Sequence, residues 1–152
     1  PAPVTGPVVS RAEIDAYDLD EPRLSRRARR MPAAERRRHA LRLRNAGLRL
    51  YREGSYAEAE ASFRQGLEHL PRDGAACEGL ARAIAQQSRF PEALAWASLA
   101  VERSSRSGAA YRVLGDIWRQ AGHPDEAARA YRRGIARDPR DRWLRRRLRE
   151  LD

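Results

Sequence analysis

Apolar residues recur along this chain in helix-length runs. Leu43, Ala46, Gly47 and Leu50 share one face at spacings of three and four, and Ala59, Phe63, Leu67 and Leu70 do the same in the next run. Such spacing predicts amphipathic helices, each about 14 residues long. The breaks between runs, at Gly54-Ser55, Ser88 and Gly122-His123-Pro124, are short enough to force antiparallel helical hairpins. Ser55 followed by Glu58 predicts a capping box, and Pro124 with Asp125 and Glu126 suits a helix first turn. The whole pattern then repeats with a step of 34 residues: Gly47, Ala81 and Gly115 keep it, as do Gly54, Ser88 and Gly122, Ala59, Ala93 and Ala127, and Leu67, Val101 and Ile135. A fixed period of this length marks units that cannot bury their apolar faces alone and must stack. Small residues at the first and third of these sites let backbones approach, and Phe63 and Tyr131 fill the remaining space.

The stretches Gly47-x2-Leu50…Tyr56-x2-Ala59-x3-Phe63…Pro71 and Leu114-Gly115-x2-Trp118…Ala127-x3-Tyr131…Pro139 resemble the tetratricopeptide repeat. Leu80-Ala81-x2-Ile84…Phe90-x2-Ala93-x3-Ala97 resembles a degenerate middle copy, with Ala97 where a ring is usual and Ser105 where the closing proline is usual. The resemblance implies an all-α fold: a right-handed α-solenoid of three helical hairpins, with a C-terminal capping helix and an N-terminal arm. The arm takes residues 1–32 and the repeat domain residues 33–152, with copies at about 40–73, 74–107 and 108–141 and the capping helix at about 142–151. Pro32 fits the first turn of a helix running through Ala33–Arg52. Trp143, Leu144, Leu148 and Leu151 then seal the stack, and Arg145, Arg147 and Arg149 give it the polar outer face that a terminal unit needs. Trp96, one residue before Ala97, either turns inward to fill the missing ring or forms a contact on the convex face.

The same resemblance assigns a ligand-facing concave groove. Its positions fall at Arg44, Asn45, Leu48, Tyr51 and Arg52 in the first copy and at Glu78, Arg82, Ala85 and Gln86 in the second. In the third they are Arg112, Val113, Asp116, Arg119 and Gln120, with Trp143, Arg146 and Glu150 extending the surface onto the capping helix. Arginine outnumbers acid there, and the first helix adds an apolar line of Leu41, Leu48 and Tyr51. A basic groove with an apolar start suits an acidic or extended, partly apolar protein segment, because the planar guanidinium holds two carboxylate oxygens at once. One subfamily grips the C-terminal carboxylate of heat-shock chaperones. At its clamp positions this chain has Arg44 but also Leu48, Gly79, Ala109 and Val113, which cannot grip a carboxylate.

Charge complementarity nominates a ligand within the chain itself. Residues 1–7 are rich in Pro and Val and read as extended. After them Ile14, Asp15, Tyr17, Asp18, Leu19 and Asp20 form an acidic, partly apolar run that matches the groove. The arm would then fold back as a self-ligand or exchange into a second copy, giving self-association.

Composition narrows the function further. All 31 basic residues are arginine, which together with abundant alanine points to a GC-rich, bacterial-like coding sequence, and the net charge of +10 favours anionic partners. His39, His69 and His123 are scattered without metal-ligand spacing, and the single Cys77 falls on an inward helix face. No phosphate loop or nucleophile elbow is present, so we expect a protein-interaction scaffold or adaptor with no enzyme activity, cofactor or metal. Nucleic-acid binding through Arg26–Arg30, Arg36–Arg38 and Arg145–Arg147 is the alternative reading, and a secretion-type chaperone a further one. No run of 18 apolar residues spans a membrane. A cytoplasmic location is favoured, and a chain that begins at Pro1 leaves a cleaved upstream signal open.

Overall fold

A computed structural model describes residues 9–104 and 108–152. The expectations for residues 1–7 and Ser105 lie outside those residues. The described residues form helices and no strand. Two short helices, α1 (Arg11–Asp15) and α2 (Arg26–Arg29), precede three hairpins. The hairpins are α3 (Ala33–Arg52) with α4 (Tyr56–His69), α5 (Gly74–Ala85) with α6 (Phe90–Arg103), and α7 (Gly108–Gln120) with α8 (Pro124–Arg137); α9 (Arg142–Glu150) closes the stack. Each helix packs on the next from α3 to α9, and α3, α5 and α7 also touch in series. This is the helical solenoid that the 34-residue period predicts. No described helix is long and apolar enough to cross a membrane.

The turns repeat in conformation as well as position. Gly54, Ser88 and Gly122 all have positive φ, at 81°, 61° and 89°, where the hairpin reverses. Ser88 therefore adopts a left-handed backbone that the glycines accept without a Cβ clash. The expected capping box at Ser55 does not form: its side chain caps nothing. With φ −84° and ψ 67°, Ser55 is not in the extended conformation that aims a hydroxyl at the first turn.

The core explains the small residues. Phe63 is fully buried, and a Cβ at Gly47 would lie 2.8 Å from its ring, with one at Gly79 closer still. Tyr131 occupies the equivalent place against Gly115. In the middle copy Ala97 replaces the ring, and Val113, one period after Gly79, is buried in the same core. One period after the pair Phe63 and Gly79, the core thus holds a smaller residue and a larger one, and the degenerate copy still packs. Cys77 is also fully buried, and burial pushes its thiol up to about 12, leaving it unreactive.

The arm folds back, though onto a different face from the expected one. Val9, Ile14 and Leu19 pack against the core, α1 lies on α6, and the Ser25 N–H donates to the Glu68 carbonyl at 3.0 Å. Farther along the stack, Arg11 pairs with Glu126 at 2.7 Å and its guanidinium lies over the Trp118 ring, while Glu21 pairs with Arg103 at 3.2 Å. The Val9 carbonyl accepts from His123 Nε2 at 2.6 Å. Trp96 is 3% exposed, with Arg64 over its ring and the arm residues Asp20 to Arg23 beside it. The arm thus straps the outer helices α4, α6 and α8 and roofs Trp96.

Candidate functional site

The concave side is formed by α3, α5 and α7, whose outer neighbours α4, α6 and α8 carry the arm. On it Tyr51, Arg82, Ala85, Gln86, Val113, Asp116, Ile117 and Gln120 line one concavity of about 180 Å³. Seven groove positions from the sequence therefore meet: Tyr51, Arg82, Ala85, Gln86, Val113, Asp116 and Gln120. Gln86 Nε2 donates to the Tyr51 hydroxyl at 3.4 Å, and the Tyr51 and Tyr56 rings lie 5.3 Å apart. Leu48 is half-buried against the core beside them. Val113, 2% exposed, belongs to the core floor and offers a ligand almost no surface.

The arginines divide by what they already hold. Arg44 donates to both oxygens of Asp73 at 3.0 Å, and Asp73 caps α5 through the Ala76 N–H. Arg112 forms the equivalent pair with Asp141, the cap of α9, and lies over the Trp143 ring. Arg146 pairs with Glu150 at 3.0 Å. By contrast Arg52, Arg82 and Arg119 form no ion pair among the described residues, and of these only Arg82 lines the concavity. Asn45 is exposed on the same helix as Leu48, outside the concavity.

The acids are partly neutralised. Asp116 accepts from the buried Tyr131 hydroxyl, whose own ionisation is pushed up by burial and then by that carboxylate. Arg147 stands 3.8 Å from Asp116 and over Trp143, so it packs inside the closing contact and does not join the polar outer face expected for it. Glu78 occupies the middle-copy position equivalent to Arg44 and Arg112; burial raises its carboxyl, opposed by Arg82 one turn away. The groove centre presents one exposed guanidinium, a tyrosine, two amides and the partly neutralised Asp116 carboxylate.

The acidic arm residues nominated as a groove ligand are engaged elsewhere. Ile14 and Leu19 pack against the core, Asp15 pairs with Arg11 at 2.9 Å and Asp20 with Arg23 at 2.7 Å. Tyr17 sits near Glu92 and Arg64 on the outer side, 38% exposed; Asp18 is exposed. Within one chain the arm leaves the concave side open, because α1 lies on α6 and residues Asp20 to Arg23 lie beside Trp96. The signal for this in the sequence is Trp96 itself, a large ring on the convex face that needs a cover.

Models of the tetratricopeptide repeat match residues 44–109 and 108–141. No curated protein sequence matches the chain. Among solved structures it is similar to the first tetratricopeptide domain of Spaghetti (RPAP3) bound to the HSP90 peptide SRMEEVD, with a TM-score of 0.69 and 23% identity over 76% of this chain and 91% of that one. The human RPAP3 first domain gives 0.70 and 24% over 74% and 89%. The Sgt2 domain from Aspergillus fumigatus gives 0.69 and 20% over 74% and 76%. These likenesses concern the fold.

Proposed function

Because the chain belongs to the tetratricopeptide repeat family, we propose that it is a protein-interaction module whose concave groove takes an acidic, partly apolar segment of another protein. The observation that carries this reading is the exposed, unpaired Arg82 beside Tyr51 in one concavity. A free guanidinium next to an aromatic face suits a carboxylate followed by an apolar side chain. The RPAP3 domain holds a peptide of this kind, SRMEEVD. Here it would be held differently, since Arg44 is tied to Asp73 and Gly79 is packed under Phe63. The arm is engaged on the outer helices, so the ligand is supplied by a partner.

The reading is tested with a fluorescein-labelled synthetic peptide carrying two leucines among five glutamates. Arg82→Glu should weaken its binding about tenfold or more, and Tyr51→Ala by a similar factor. Arg44→Ala, which removes an arginine already in use, should leave affinity within about twofold. Equal binding by all four proteins would overturn the proposal.

A further inference from the structure

The charge of this chain is concentrated in one place. Residues 26–52 contain 11 arginines and one acid, Glu35, a net of 11 − 1 = +10. The remaining residues contain 31 − 11 = 20 arginines and 21 − 1 = 20 acids, so they are neutral and the whole excess of +10 lies on α2 and α3. Of these 11 arginines, Arg44 alone forms an ion pair among the described residues. The acidic arm does not compensate them, because it lies on α6.

On α3 the excess is ordered. Arg38, Arg42, Asn45, Arg49 and Arg52 follow each other at steps of four and three, and all are exposed, so they form one line on the side of α3 away from its packed face. The fourteen helical steps from Arg38 to Arg52 make that line roughly 21 Å long. Arg26, Arg27 and Arg29 on α2, with Arg30 just after it, stand before its start.

From this geometry we infer that α2 and α3 form a docking surface for the phosphate backbone of a nucleic-acid duplex, separate from the concavity. Three features select that occupant. The line carries no apolar residue, whereas protein interfaces keep an apolar centre depleted of charge. It carries no aromatic ring, so single-stranded bases have nothing to stack on. The apolar face of α3 is committed to α4 and α5, which removes the surface that an interfacial membrane helix inserts. Regularly spaced guanidinium groups on a rigid helix, with no carboxylate partner among the described residues and with Arg42 touching the His39 ring at 3.1 Å, match a regularly spaced polyanion.

Binding is measured by anisotropy with a labelled DNA duplex of about 20 base pairs and the RNA duplex of the same sequence, between about 50 and 200 mM salt. Some five phosphate contacts predict an affinity loss of several hundredfold across that range, at about 0.9 in log–log slope per contact. The triple variants R38Q/R42Q/R49Q and R38E/R42E/R49E, checked for helicity by circular dichroism, should lower the slope by about three. Arg82→Glu should leave duplex binding unchanged, which separates this surface from the groove. The inference is overturned if neither duplex binds at low salt, or if the glutamine variant binds as tightly as the parent. A single strand binding more tightly than the duplexes would also overturn it, and vesicles containing phosphatidylserine binding where duplexes do not would assign the face to a membrane.

Discussion

One oxygen of Asp141 accepts the Arg112 guanidinium at 2.7 Å, and the other accepts the backbone N–H groups of Trp143 and Leu144 at 2.9 and 3.1 Å. A single carboxylate thus starts α9 and fastens it to α7. Burial alone would raise this carboxyl, but the hydrogen bonds from Arg112 and from α9 outweigh it and hold the group below its ordinary value of 3.8. Asp141 therefore keeps its charge to lower pH in the folded chain than in the unfolded one. Its contribution is complete above about pH 4 and fades as pH falls through the folded value.

Asp141→Ala should cost about 1–3 kcal/mol at pH 7, from a lost cap and an unpaired Arg112. In urea titrations the gap between variant and parent should narrow near pH 3. A constant gap across that range would show that the charge of Asp141 is not what holds α9.

At Gly115 even one added methyl group meets the Tyr131 ring. Gly115→Ala should therefore destabilise by about 1–3 kcal/mol, although alanine is the better helix former. For a chain of this size that lowers the melting temperature by about 2–4 °C per kcal/mol. An unchanged or raised melting temperature would mean that Tyr131 has room to move aside.

Deleting residues 1–22 should uncover Trp96. Tryptophan emission is expected to shift to the red, and loss of the Ile14 and Leu19 contacts should lower stability by about 1–3 kcal/mol. Light scattering on the truncated chain reads whether the bared face then pairs two copies. Unaltered emission and melting together would contradict the strap.

The period made the stack legible, because packing constrains residues at every turn of every copy. What the side chains do with their charges was less legible. Arg44 and Arg112 stand at groove positions by the repeat pattern, yet each is claimed by an aspartate 29 residues later. That Arg-to-Asp spacing recurs at two periods, 44 to 73 and 112 to 141, and was visible in the sequence as a signal. The address of the arm was not: an acidic run complements any basic surface, and here the packing of Ile14 and Leu19 against the core, with Asp20 to Arg23 beside Trp96, decides the face. The exchange of sizes at Ala97 and Val113 was hidden for another reason, since the two positions share one core only when adjacent copies stack.

The measurement that bears most directly on the groove is photo-crosslinking from the acidic probe peptide, with the attached residues identified by mass spectrometry. Crosslinks to Tyr51, Arg82, Gln86 and Gln120, competed by unlabelled peptide, are the outcome we predict. Crosslinks confined to α4, α6 and α8, or to the arginine line of α3, would contradict a ligand in the concave groove.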